Sequence, residues 1–289
     1  MEPDEPRRGR IGPPYSRPSY RPDVAPAPPE PPSLVERFGR PVALVAVLAV
    51  AAYLVWVWFF SSALECARVG PRPAEGGKVV LLLHGYGAPG DDFVGLAEQL
   101  EAELPGTTFL VPVGPYSVGL GGHAWLPPVA ARTRAEYGAL IAAPVDKTIK
   151  QIWEVIDGAR KKGVLCSDIT VGGFSQGGWI AAEVALRAPP DCSLGGVIVM
   201  SGGGPEIDLS PATGRPRMRV LVTHGTHDGV VSIAKGRSTA QHFAAGDHEV
   251  QWLQFDGPHT VAPAVRRAIP GFLRGETVGE IVAPSPSRE

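Results

Sequence analysis

Net charge is what this chain has least of: 27 Lys and Arg residues stand against 29 Asp and Glu in 289 positions. No basic cluster is large enough to leave an electrostatic footprint for a polyanion, so the composition excludes a nucleic-acid binder. Cysteine is scarce too. The three residues Cys66, Cys166 and Cys192 can close one bridge at most within the chain. Polar residues are missing from one stretch, Val42 to Phe60, which runs for 19 residues without a charge or a strong polar group. As a helix it would span roughly 28 Å, close to the ~30 Å hydrocarbon core of a bilayer. Tyr53, Trp56, Trp58, Phe59 and Phe60 crowd its C-terminal end, as in an interfacial aromatic belt. A single membrane-spanning helix over 42–61 is therefore expected. The rival, a cleaved signal peptide, has small residues at Ser61-Ser62-Ala63 in its favour. Against it, the run is too long for a signal core and lies behind 41 residues of polar sequence.

Those first 41 residues lack the makings of a core. They hold 12 of the 31 prolines and seven arginines, including Pro26-Ala27-Pro28-Pro29-Glu30-Pro31-Pro32. Such a segment is expected to be disordered with polyproline character, a solvated tether or a docking site for a proline-reading partner. Residues 62–77 read as a linker, 78–274 as one α/β domain with a sizeable core, and 275–289 as a second disordered tail.

Within the domain, short apolar runs alternate with helical patterns. Val79-Val80-Leu81-Leu82-Leu83 has the unbroken apolarity of a strand buried on both faces. A helix is expected from about Asp92 to Leu104, and another from about Val145 to Lys162, with Pro144 at its start. Strands follow at 108–111, 168–172, 196–200, 219–223 and 250–255, and further helices at 176–187, 232–244 and 262–274. This alternation means a mostly parallel sheet with helices on both faces. The stretch Pro112 to Arg134 is too long to be a mere connection. Its Tyr116, Leu120, His123, Trp125 and Leu126 either line an apolar binding wall or pack on the core.

The sharpest signal is Gly173-Phe174-Ser175-Gln176-Gly177, a G-x-S-x-G pentapeptide placed between a strand-like and a helix-like segment. A strand-to-helix turn of this kind holds its serine on a strained tip with Oγ uncovered. Serine needs a base to take its proton and a third group to orient that base. In strand-turn-helix hydrolases the partners come in the order Ser, acid, His. Asp228 and His259 each follow a predicted strand, in that order, at the sheet edge that carries Ser175. His224 and His227 are rival bases, and Asp247 and Asp256 rival acids. Asp228 can also be read as a helix cap, and His259 as a loop histidine. Upstream, His84-Gly85-Tyr86-Gly87 follows the first strand of the domain. The amides of Gln176 and Tyr86 are the candidate oxyanion donors, unless these glycines serve only to make a tight turn.

His84-Gly85-Tyr86-Gly87, Gly173-Phe174-Ser175-Gln176-Gly177-Gly178 and His224-Gly225-Thr226-His227-Asp228 together resemble the phospholipase/carboxylesterase family of α/β-hydrolases, which includes acyl-protein thioesterases. Gly121-Gly122-His123-Ala124-Trp125 is similar to a family segment lining the substrate funnel. The likeness covers about residues 78–272. It implies an α/β-hydrolase fold and hydrolysis of carboxylic esters or thioesters of small or lipid-like acyl substrates, without metal or cofactor. Carried over by position, Ser175 is the nucleophile, Asp228 the acid and His259 the base, with His123 and Trp125 toward the substrate. The long N-terminal segment departs from soluble members of the family. A peptidase or lactone hydrolase of the same fold, and an inactive membrane-anchored scaffold, are the alternatives.

The side of the membrane is set by the cysteines alone. Cys166 and Cys192 each lie nine residues before a serine, Ser175 and Ser201, and each stands ahead of the predicted strand leading to that serine. If those strands are parallel neighbours in register, the pair can be bridged. A bridge would place the domain outside the cytoplasm; the alternative is two small buried thiols. Cys66 is left unpaired near the membrane.

Overall fold

The computed structural model describes residues 45, 48–50, 63–203 and 216–283. The tail expected at 1–41, and all of the span expected at 42–61 except residues 45 and 48–50, lie outside them. Among the described residues no helix is long and apolar enough to cross a membrane. The chain divides into two compact units, Met1–Trp56 and Val57–Glu289, and the sheet and the candidate site belong to the second.

The sheet is built around β2 (Val79–Leu83), whose five side chains are all buried. Such complete burial requires cover on both faces, hence the unbroken apolar run. Its neighbours are β3 (Thr108–Pro112) and β6 (Ile169–Phe174), and then come β7 (Gly196–Met200), β8 (Arg219–Gly225) and β9 (Glu249–Phe255), all parallel. Alternate side chains of the strands enter two different cores. Val79, Leu81 and Leu83 pack with α2 (Arg134–Arg160), α3 (Gln176–Leu186) and α4 (Ile233–Ala245) on one face. Val80 and Leu82 pack with α1 (Val94–Glu103) and α5 (Pro263–Arg274) on the other.

Two antiparallel edge strands were not expected. β1 (Cys66–Val69), inside the supposed linker 62–77, pairs with β3, and β10 (Glu280–Ile281), inside the supposed tail 275–289, pairs with β9. The ordered domain therefore extends beyond 78–274 at both ends. A two-stranded ribbon, β4 (Tyr116–Ser117) with β5 (His123–Ala124), stands within the long 112–134 stretch.

The helix placed at 145–162 is longer than its sequence pattern, and Pro144 lies inside it rather than at its start. Its true beginning carries a cap: Thr133 Oγ1 accepts the Glu136 amide, and Glu136 Oε2 accepts the Arg132 amide. Pro144 removes the donor that Leu140 C=O would have had, but Leu140 is exposed, and water can satisfy the carbonyl there.

β6 and β7 pair Thr170 with Gly196 and Phe174 with Met200, a constant offset equal to the 26-residue separation of Cys166 and Cys192. Register thus brings the two cysteines opposite each other at the N-terminal edge, with Cα atoms 5.4 Å apart, and the structure joins them in a disulfide. By the chain-entropy relation a loop of this length stabilises the fold by roughly 3.5 kcal/mol. Cys66 is free, and burial pushes its thiol up to about 11, which keeps it unreactive.

Candidate active site

β6 ends at Phe174 and α3 begins at Gln176, so the chain reverses from strand to helix across a single residue, Ser175. Its dihedrals, φ 54° and ψ −119°, lie outside the regions a side chain normally accepts and cost about 1–3 kcal/mol. The strain persists because both flanks are fixed: the Ser175 amide donates to Met200 C=O of β7, and α3 is packed onto β2. The turn holds the hydroxyl away from both elements.

Ser175 Oγ lies 2.8 Å from His259 Nε2, and His259 Nδ1 lies 2.7 Å from Asp228 Oδ2. A carboxylate can only accept, so the ring proton sits on Nδ1 and the Nε2 lone pair faces the serine hydroxyl. Asp228 follows β8 and His259 follows β9, so both strands deliver their residues to the edge where β6 delivers Ser175. Asp228 combines the two roles that its sequence allowed. Oδ2 holds the histidine, while Oδ1 accepts the amides of Val230 and Val231 and shapes the turn leading into α4. Burial alone would raise its ionisation, but the bonds from His259, Val231 and Val230 together prevail and hold the carboxyl below its ordinary range.

The rival groups are accounted for by position. His224 is fully buried, and its Nε2 donates to Val231 C=O 2.9 Å away while lying 3.3 Å from Asp228, which braces the acid's loop. His227 points outward, 74% exposed, and pairs with the still more open Asp256. Asp247 occupies the turn between α4 and β9, at the opposite edge of the sheet.

The loop after β2 runs alongside the serine: a Cβ placed on Gly85 would come 3.6 Å from Ser175 Cβ. This loop is zipped to the ribbon, Gly87 N–H donating to His123 C=O and His123 N–H to Ala88 C=O. The ring Nδ1 of His123 lies 3.2 Å from Gly114 C=O, in the half-buried ribbon. Trp125 requires a correction. Expected to face substrate, it is fully buried beneath the loop, with its indole N–H bonded to His84 C=O. A large apolar ring with one donor gains most when the ring is enclosed and the donor satisfied, and this position offers both. Neither His123 nor Trp125 lines the cavity of about 320 Å³ that opens beside His259; Asp92, Phe93, Leu96, Phe174 and Arg266 do.

Sequence reasoning also passed over the His84 side chain. It is fully buried, and its two ring nitrogens meet Gly85 C=O and the Gly114 amide. The only local sign was a histidine ending an otherwise apolar strand. Burial holds its ionisation below the ordinary 6.5, outweighing the opposing pull of the Gly85 carbonyl. The folded protein therefore refuses a proton that the unfolded chain accepts below that value. This part of the stability is complete above pH 6.5 and is lost as pH falls, by up to about 1.4 kcal/mol per pH unit. Urea unfolding of the parent at pH 7 and pH 5.5 should show a larger acid loss than that of His84→Asn. Equal losses would show that His84 is not the group responsible.

Among the described residues no group of three or more His, Cys, Asp or Glu side chains is placed to hold a metal ion. The sequence profile of the phospholipase/carboxylesterase family matches residues 64–274, a range that includes β1 and ends with α5. A probable carboxylesterase of Oryza sativa subsp. japonica is 32% identical over 185 residues, 59% of this chain and 75% of its own length. Acyl-protein thioesterase 1 of Eremothecium gossypii is 26% identical over 243 residues, 78% of this chain and 99% of its own. Among solved structures, esterase PE8 superposes with a TM-score of 0.64 at 24% identity, covering 74% of this chain and 99% of that one. The Bacillus cereus carboxylesterase superposes at 0.60 with 18% identity, over 77% and 98% of the two chains. With its fold, the order Ser175, Asp228, His259 and the match over most of its length, this chain belongs to the phospholipase/carboxylesterase family of α/β-hydrolases.

Proposed function

We propose that this carboxylic ester hydrolase cleaves acyl esters or thioesters through an acyl-enzyme formed on Ser175. The supporting observation is the continuous chain of short contacts Ser175 Oγ, His259 Nε2, His259 Nδ1 and Asp228 Oδ2. Ser175 Oγ attacks the acyl carbonyl carbon as its proton passes to His259 Nε2, and the carbonyl π pair moves onto oxygen. The amides of Gln176 and Tyr86 receive that oxyanion. Its collapse breaks the bond to the leaving oxygen or sulfur, which takes the proton from Nε2. Water then repeats the sequence on the ester of Ser175, giving up one proton to His259 and releasing the carboxylic acid and the free serine. Asp228 holds the imidazole in its productive tautomer and offsets the charge it gains.

The same reading tethers the domain to a membrane through a helix at 42–61 and faces it away from the cytoplasm. Its supports are the uncharged run from Val42 to Phe60 and the Cys166–Cys192 disulfide, which suits an oxidising compartment. The proline-rich segment 1–41 would then lie on the cytoplasmic side, open to a partner. Hydrolysis of p-nitrophenyl acetate, butyrate and octanoate and of an octanoyl thioester by the full chain tests the activity. Turnover of at least one acyl length is expected; none on any of the four would overturn the proposed function.

A further inference from the structure

The two candidate oxyanion donors belong to different segments, Tyr86 to the loop after β2 and Gln176 to the first turn of α3. Their positions are useful only if fixed relative to each other, since a donor misplaced by an ångström loses most of its effect on the transition state. One residue touches both segments. The Trp125 backbone N–H donates to Gln176 Oε1 at 2.8 Å, and its indole N–H donates to His84 C=O at 2.8 Å. Its own carbonyl is held by Thr148 Oγ1 of α2 at 2.6 Å, and its ring is fully buried against that of His84, centroids 5.0 Å apart.

His84 extends the connection by one peptide. The Gly114 amide, 2.9 Å from His84 Nε2, can only donate, so Nε2 accepts and the ring proton belongs to Nδ1. That proton is donated to Gly85 C=O at 2.8 Å. In a trans peptide the C=O and N–H point in opposite directions, so holding Gly85 C=O fixes the direction of the Tyr86 N–H. Two successive buried carbonyls, His84 and Gly85, are thus clamped by ring N–H donors, with the Ala88 amide a longer second donor to Gly85 C=O at 3.3 Å.

We infer that Trp125 and His84 are positioning residues that join the Tyr86 and Gln176 amides into one rigid oxyanion site. The inference rests on the acyl-enzyme reading and adds a definite chemical requirement. The donor to Gly85 C=O is needed for rate, whereas the acceptor for Gly114 N–H only steadies the neighbouring loop.

Asparagine can present an N–H where His84 Nδ1 stands, and glutamine can present an oxygen where Nε2 stands, so the two variants separate the bonds. On p-nitrophenyl butyrate, His84→Asn should keep kcat within about threefold of the parent, and His84→Gln should lose about 30-fold, with KM within twofold for both. Trp125→Phe, which removes the indole donor together with part of the buried ring, should lower kcat about tenfold, again with KM nearly constant. Equal kcat for the two His84 variants, or losses confined to KM, would reduce both residues to packing and overturn the inference. Near-ultraviolet circular dichroism identifies any variant that does not fold; if the His84 pair fails, an unchanged kcat in Trp125→Phe overturns the inference by itself. Since the parent's activity is measured in the same experiment, these failures are distinct from failure of the acyl-enzyme reading.

Discussion

Replacing Ser175 by alanine is expected to lower kcat/KM on p-nitrophenyl butyrate by at least about 10⁴-fold, while the protein stays folded. The size follows from what is removed. Without Oγ there is no acyl-enzyme, and His259 is left to activate a water that no covalent geometry positions. The residual rate would come from the oxyanion donors and binding alone, and a factor of 10⁴ corresponds to about 5.5 kcal/mol of barrier. Stability should hold or rise slightly, because among the described residues no hydrogen bond depends on Oγ apart from the one to His259. His227→Ala serves as the control: that ring faces solvent beside Asp256 and should leave kcat/KM within about twofold. Activity of Ser175→Ala within tenfold of the parent, or a matching loss in His227→Ala, would contradict the assignment.

The second large effect concerns folding. Gly177→Ala should destabilise the domain by about 3 kcal/mol or more, lowering Tm by roughly 6–12 °C for a chain of this size. A Cβ on Gly177 would overlap the carbonyl oxygens of Leu83 and His84, and these are backbone atoms of the inner strand β2 and the loop after it. Neither can step aside without moving α3 off β2, which would also separate Ser175 from the Tyr86 loop. Gly158 provides the contrast. It lies exposed within α2 with no atom near the added Cβ, so Gly158→Ala should stabilise by about 0.4–1 kcal/mol. If Gly177→Ala unfolds within a degree of the parent, the close approach of α3 to β2 is not what holds the turn.

The legible parts of this chain were those whose signal is local. Val79–Leu83 and Gly196–Met200 announce buried parallel strands because cover on both faces demands unbroken apolar sequence. The G-x-S-x-G turn, and an acid and a histidine each just past a strand, fall on one sheet edge by sequence position alone. The cysteines were legible for the same reason, since parallel register converts equal sequence offsets into spatial proximity.

What stayed hidden is held by distant partners. β10 is two exposed residues whose strand character comes entirely from Trp252 and Gln251 of β9. β1 is four residues, three half-buried and one exposed, completed by β3. Pro144 was read by its usual place in a first turn, and the stronger start signal, Thr133 with Glu136, was passed over. Trp125 was misjudged because an aromatic in a long loop looks the same whether it faces a ligand or lies beneath the loop. Distant partners hold it inward, among them His84 C=O and Gln176 Oε1, which are 41 and 51 residues away.

The central claim is that Ser175 is the nucleophile, and covalent capture tests it most directly. A fluorophosphonate probe should react with the native full-length protein at one site, abolish ester hydrolysis in proportion to labelling, and map by peptide mass spectrometry to the segment containing Gly173-Phe174-Ser175-Gln176-Gly177. A label on another residue, or ester hydrolysis that persists in a protein the probe does not modify, would contradict it.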